Sequence, residues 1–246
     1  FATCKLNDGR IISIFSYGST IYESVRETNG TWSAQATASG SGYVLSANLL
    51  STGEVMLLYV TSNDEVYAVI RDTDGEYGDP ELVISAAVTG AAASCELFNG
   101  EILFIYYNED ENKNYEIVRD IAGQWGEPVE IASTITNPAL CTLDDGTALL
   151  IYSNSSNSYI YEAIRASDGT WGAGTSKIST ALYGNKAVKM ADNSIALFCT
   201  NAAPNAAYLY IRTEAGAWGT PETIATINDG VVDIEYISDN KLLFMY

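Results

Sequence analysis

Five arginines recur along the chain at nearly constant spacing: Arg26, Arg71, Arg119, Arg165 and Arg212 stand 45, 48, 46 and 47 residues apart. Each keeps the same company. A tyrosine lies four residues before it (Tyr22, Tyr67, Tyr115, Tyr161, Tyr208), and a glycine lies four after it (Gly30, Gly75, Gly123, Gly169, Gly216). Six residues after it comes an aromatic ring: Trp32, Tyr77, Trp125, Trp171 or Trp218. A period of this length marks a repeat architecture, in which one supersecondary unit is copied and buries its apolar faces on neighbouring copies.

A second element repeats upstream of each arginine. Asp8-Gly9, Thr52-Gly53, Asn99-Gly100, Asp145-Gly146, Asp192-Asn193 and Asp239-Asn240 are turn-forming pairs that accept the positive φ of tight hairpins. After them come wholly apolar runs, such as residues 55–59, 102–106, 149–152, 195–198 and 242–246. An apolar run of that length reads as a strand buried on both faces. Each unit therefore holds four short strands: A before the hairpin pair, B in the apolar run, C carrying Tyr-x-x-x-Arg, and D after the aromatic residue.

Four antiparallel strands per period, with regular turns and no helical pattern, predict an all-β fold, a β-propeller of four-stranded blades. A β-sandwich would not require such a period. The expected repeats span about residues 1–39, 40–88, 89–135, 136–181 and 182–227, with a partial sixth over 228–246, all in one propeller domain. Six A–B hairpins but five C–D hairpins predict about six blades, the last incomplete. Missing C-terminal residues, a thin two-stranded blade or strands from a partner chain would each account for it.

Composition narrows the function. Among 246 residues, 31 acids against 12 Lys and Arg give a net charge of −19. Such a field repels phosphate backbones and anionic lipid, so no nucleic-acid partner is expected. Histidine is absent, which excludes Ser-His-Asp and Cys-His centres and the commonest zinc and iron ligand sets. The longest apolar runs, residues 102–107 and 148–152, are far short of the roughly 20 residues of a membrane span, so no insertion is expected. Phe1 at the start reads as the first residue of a processed or excised segment, which makes a missing leader uninformative. Four cysteines are too few for a disulfide scaffold. Cys4, Cys95 and Cys141 each lie five residues before their hairpin glycine, at one equivalent position on strand A, and read as buried thiols. A polar, uncharged surface rich in Tyr, Ser, Thr and Asn suits an extracellular, cell-surface or virion protein.

In such a blade the A–B and C–D turns share one face, and the B–C loops and D–A connections share the other. The copied residues belong to the first face. The second carries irregular segments, residues 16–20, 61–65, 108–114, 153–159 and 200–206, with connections at 38–43, 86–89, 133–137, 181–185 and 226–230. Loops vary where function rides on a rigid scaffold, so a ligand is expected there. Candidate contacts are Tyr17, Tyr43, Asn63, Tyr107, Asn108, Asn154, Tyr159, Tyr183 and Asn201.

The C–D turn, Ser167-Asp168-Gly169-Thr170-Trp171 or Thr28-Asn29-Gly30-Thr31-Trp32, resembles a shortened Asp-box of the sialidase-like propellers. The pattern Tyr-Glu-x-x-Arg-x-x-x-Gly-x-Trp-Gly, over residues 115–126 and 161–172, is similar to repeats of six-bladed fucose-binding lectins. That resemblance implies carbohydrate sites between blades, with Glu23, Glu116 and Glu162 matching the lectins' strand-C glutamate. Ala68 and Leu209 do not match it, and the lectins' strand-B arginine has no counterpart here.

Five symmetry-related arginines read as one structural device repeated, stacking on the tryptophan or binding turn carbonyls. The aromatic set reads as an anchor closing the gap between blades. Acidic pairs such as Asp144-Asp145 and the run Glu109-Asp110-Glu111 read as solvated turns, with no metal spacing. No catalytic residue and no cofactor is assigned, and no arginine lies in the loops of the ligand face. The reading is a non-catalytic recognition module for glycan or a protein surface. A sialidase-like hydrolase and a structural part of a virion or surface assembly are the alternatives.

Overall fold

The computed structural model describes residues 1–132, 134–179, 182–201, 206–226, 233–238 and 241–245. Among them there is no helix. The architecture is all-β, in five antiparallel blades of four strands and one two-stranded hairpin. Blade 1 holds β1 (Ala2–Lys5), β2 (Ile11–Tyr17), β3 (Thr20–Arg26) and β4 (Ala36–Ser41). Blade 2 holds β5 (Tyr43–Leu49), β6 (Val55–Val60), β7 (Glu65–Arg71) and β8 (Glu81–Ser85). Blade 3 holds β9 (Val88–Glu96), β10 (Ile102–Asn108), β11 (Lys113–Arg119) and β12 (Val129–Glu130). Blade 4 holds β13 (Ile135–Thr142), β14 (Ala148–Asn154), β15 (Ile160–Arg165) and β16 (Thr175–Ile178). Blade 5 holds β17 (Tyr183–Lys189), β18 (Ile195–Asn201), β19 (Ala206–Arg212) and β20 (Glu222–Thr226), and the hairpin is β21 (Asp233–Ser238) with β22 (Lys241–Met245). The expected Asp239-Asn240 turn and Tyr246 lie outside the described residues.

The chain divides into two compact units, residues 1–96 with 100–131, and residues 97–99 with 132–246. In the first, β1 lies beside β5 and β5 beside β9; in the second, β13 lies beside β17 and β17 beside β21. Strand A of one blade thus faces strand A of the next within each unit.

Strand B explains its own apolar sequence. Every residue of β6 is buried, and alternate side chains go to opposite faces. Leu57 and Tyr59 pack with Ile12 and Ile14 of blade 1, while Met56 and Leu58 pack with Phe104 and Tyr106 of blade 3. In the second unit Leu149 and Ile151 of blade 4 meet Leu197 and Cys199 of blade 5. A strand with a blade against each face has no solvent side, so it carries no polar alternation. The four cysteines are buried thiols rather than disulfides, and burial pushes the Cys199 thiol up to about 12.

The copied arginine holds one register throughout. Ile11, Val55, Ile102, Ala148 and Ile195, near the start of each strand B, pair with Arg26, Arg71, Arg119, Arg165 and Arg212. Each arginine also bridges the aromatic residue six positions on, Trp32, Tyr77, Trp125, Trp171 or Trp218. The turn between them needs glycine twice over. Gly75 has φ +99°, its amide donates to the Asp72 carbonyl at 3.2 Å, and a Cβ there would sit 2.9 Å from Arg71 Nη2. Gly123 repeats this, with φ +88° and 2.9 Å to Arg119 Nη2. The guanidinium comes close to the turn because no side chain occupies that space.

Gly75→Ala is therefore expected to lower stability by about 1–2 kcal/mol in urea denaturation, from backbone strain and displacement of Arg71. Ala substitution at the exposed Gly18, where a Cβ meets nothing within 4 Å but φ is +62°, isolates the backbone share.

Candidate functional site

At the junction of blades 1 and 2, Glu23 on β3 points at the C–D turn of the next blade. Its carboxylate accepts from Arg71 Nε at 2.8 Å, from Arg71 Nη2 at 3.1 Å and from the Tyr77 hydroxyl at 2.7 Å. Both charged side chains are about nine-tenths buried, at 10% and 12% exposure. Burial, and then the Glu23 hydrogen bond and charge, push the Tyr77 phenol far up. Blade 4 makes the same contact with blade 5. Glu162 accepts from Arg212 Nε at 3.0 Å, from Trp218 Nε1 at 3.1 Å and from Lys177 Nζ at 2.9 Å. Burial alone would raise the Glu162 pKa, but the hydrogen bonds from Arg212 and Lys177 and the Arg212 charge outweigh it and hold the carboxyl below its ordinary value.

These contacts amend the expected partners of two copied arginines. The guanidinium groups of Arg71 and Arg212 meet a glutamate of the preceding blade rather than turn carbonyls or a stacked tryptophan. The aromatic member joins them as a second donor while its ring packs on the inter-blade core, Tyr77 on the blade 1–2 cluster and Trp218 on the blade 4–5 cluster.

The register adds a feature that the repeat alignment passed over. Directly across from the strand-C position on strand D stand Ala36 (opposite Glu23), Glu81 (opposite Ala68), Val129 (opposite Glu116), Thr175 (opposite Glu162) and Glu222 (opposite Leu209). Each cross-strand pair holds one glutamate, on strand C in blades 1, 3 and 4 and on strand D (β8 or β20) where the strand-C residue is Ala68 or Leu209. The Pro-Glu dipeptides Pro80-Glu81 and Pro221-Glu222 were the available sequence signal.

The loop side carries two cavities in the first unit. One, of about 420 Å³, has an apolar floor of Val44, Leu45, Val60 and Val88 and a rim of Tyr43, Thr61, Ser62 and Asp64. The other, of about 310 Å³, is lined by residues 83–86 with Tyr106, Asn108, Glu111, Tyr115 and Pro128. Burial, then the neighbouring Tyr115 and Glu111, push the Tyr106 phenol up to about 12. The Tyr115 hydroxyl donates to the Glu111 carboxylate. Neither lining includes an arginine or a lysine.

The candidate contacts do not converge on one point. Tyr43, 57% exposed, stands on the rim of the larger cavity, and Asn63 is exposed in the loop that forms the same rim. Tyr17 is 79% exposed at the end of β2, apart from both linings. Asn108 lines the smaller cavity but is buried, and its Oδ1 accepts from the backbone N–H groups of Asp110 and Glu111 at 3.0 and 3.3 Å. Tyr107 donates to Asn112 Oδ1. Asn154 likewise serves its own loop, accepting from Ser156 N at 2.9 Å, and the half-buried Tyr159 donates its backbone N–H to Asn157 Oδ1 at 2.9 Å. The side chains of Tyr183 and Asn201 lie outside the described residues. Asp64, which reads in the sequence as one more solvated acid, stands on the rim of the larger cavity with φ +61°.

No family model matches the sequence, and no curated protein matches it. Solved structures do. The SapL1 lectin, solved with alpha methyl fucoside, has a TM-score of 0.72 at 14% identity, over 99% of this chain and 87% of that one. The fucose-recognising lectin of Aleuria aurantia, described as a six-bladed β-propeller, has a TM-score of 0.65 at 13% identity, over 92% and 78%. A Hadza microbial sialidase has a TM-score of 0.69 at 14% identity, over 96% of this chain and 60% of that one. The fold is a β-propeller. At these identities the likeness carries the propeller and nothing finer.

Because Glu162 has a lowered folded pKa, its contribution is present above the unfolded glutamate value of about 4.3 and is lost as pH falls through the lower folded one. Glu162→Gln is expected to cost about 3 kcal/mol at neutral pH. In chemical denaturation followed across pH, the gap between wild type and variant should close in the acid range.

Proposed function

We propose that this propeller is a non-catalytic recognition module that binds carbohydrate at the cavity rimmed by Tyr43. The observation that carries the reading is the make-up of that cavity. An exposed aromatic face, two hydroxyls and one carboxylate stand around an apolar floor, in a volume within the range of small-ligand sites. Tyr43 offers a surface for the apolar face of a pyranose, and Asp64, Thr61 and Ser62 offer acceptors and donors to its hydroxyls. Thr61, Ser62 and Asp64 belong to a B–C loop that varies between blades, as expected of a site set on a repeated scaffold.

The SapL1 lectin, solved with alpha methyl fucoside, and the fucose-recognising lectin of Aleuria aurantia support a carbohydrate ligand for a propeller of this kind. The absence of a basic side chain from both cavity linings disfavours a carboxylate clamp of the sialidase type. A polar surface with few charges suits presentation outside the cell.

A glycan array with the purified chain is expected to give discrete neutral-sugar hits, and aryl glycosides are expected to show no turnover. Tyr43→Ala should weaken the best hit by at least about tenfold, roughly 1.4 kcal/mol, with unchanged thermal stability. Binding that ignores both Tyr43→Ala and Asp64→Asn would remove the cavity from the account, and turnover would replace the module with an enzyme.

A further inference from the structure

The smaller cavity, of about 310 Å³, carries a chemistry different from that of the Tyr43 site. Val83, Ile84 and Pro128 give it an apolar wall. Tyr106 is only 2% exposed yet lines the cavity, so what remains open of this side chain faces that space. Its hydroxyl makes no hydrogen bond among the described residues, although a buried phenol ordinarily finds a partner. The Tyr106 ring stacks on that of Tyr115 at 5.7 Å between centroids, with 23° between the planes. Beside them stands the Glu111 carboxylate, which accepts from the Tyr115 hydroxyl and from Asn108 Nδ2 at 3.4 Å. Both donors are neutral. No cation of the described residues pairs with Glu111, and Lys113, two positions on, is held by Glu130 at 2.6 Å.

We propose that this cavity binds a primary ammonium group carried on a short apolar stem. The ammonium has three N–H donors and no acceptor, and the cavity offers it two oxygens, the Glu111 carboxylate and the Tyr106 hydroxyl. The bond to Glu111 is charge-assisted and therefore the stronger of the two. The tyrosine rings favour a cation at their faces, and the stem covers Val83, Ile84 and Pro128. A net charge of −19 enriches cations at the surface and repels anions. A neutral hydroxylated ligand meets the same oxygens but gains nothing from the unpaired carboxylate charge. The cavity uses none of the strand-C glutamates to which the lectin resemblance points. Glu116 follows Tyr115 on β11, so its side chain goes to the opposite face of the sheet. Nor does the cavity share a lining residue with the Tyr43 site, so this assignment does not rest on the carbohydrate reading.

The test follows the Tyr115 ring resonances, assigned by their loss in Tyr115→Phe, while n-butylammonium chloride is added to the purified chain at constant ionic strength. A saturable shift is expected. n-Butanol, which has the stem without the charge, is expected to leave the resonances in place. Tetramethylammonium, which has the charge without the N–H donors, should bind at least about tenfold more weakly than butylammonium. Glu111→Gln, which keeps the side-chain shape and removes the charge, should also weaken butylammonium binding at least about tenfold, with Tm unchanged. Tyr106→Phe removes one hydroxyl and should weaken it by about threefold or more. Unmoved resonances, an equal response to butanol or tetramethylammonium, or a response that survives either variant would overturn the assignment. Glu111→Gln is expected to keep the glycan-array hits of the wild type, so the amine site and the Tyr43 site can each fail alone.

Discussion

A buried carboxylate held by two donors from the next blade, at the junctions of blades 1–2 and 4–5, is the constraint on which the copied residues there depend. Taking Glu162 and Arg212 out of water is costly, and their attraction offsets this only when the remaining hydrogen-bonding capacity is also filled. Lys177 and Trp218 fill it. The turn glycine lets the guanidinium lie close enough, the hairpin register places it opposite the start of strand B, and the aromatic ring covers it. Losing any one member leaves a buried charge or donor unmatched. Nonpolar packing between strands B supplies the bulk of the cohesion, but it is non-directional. The ion pair supplies the direction, because a blade displaced along its neighbour would separate the carboxylate from both donors.

The repeat made most of the architecture legible. Apolar runs bounded by hairpin pairs located strand B, and the Tyr-x-x-x-Arg spacing located strand C with its turn, because both signals are local and recur. The partner of the arginine was not legible in the same way. Glu23 and Arg71 are 48 residues apart, and only the relative placement of two blades brings them together. The transfer of the acid from Ala68 to Glu81 was hidden for a related reason: it is a substitution across a strand pair, visible once the register is known. The loop face was less legible still. Asn108 and Asn154 looked like free polar contacts by composition, yet short polar side chains in loops hydrogen-bond their own backbone, and both do so.

Copied and uncopied residues divide the work. Arg, Gly and the aromatic residue recur in all five repeats, and Glu in three, because the junctions within each unit pose a similar packing problem. Thr61 and Asp64 are not copied in the other blades, and with Tyr43 and Ser62 they border the larger cavity. Blade 2 stands at the meeting of the two patterns, since it contributes the rim of that cavity and, through Ala68 and Glu81, one of the two repeats in which the glutamate stands on strand D. A departure from the repeat is thus informative about ligands in a way that the repeat itself is not.

The central claim is that the carboxylate and the guanidinium act as a coupled pair across the junction. A double-mutant cycle on Glu23→Ala and Arg71→Ala, read by chemical denaturation at neutral pH, measures this most directly. The account predicts a coupling energy of about 2 kcal/mol, with the double variant far less destabilised than the sum of the singles. Additivity to within about 0.5 kcal/mol would contradict it.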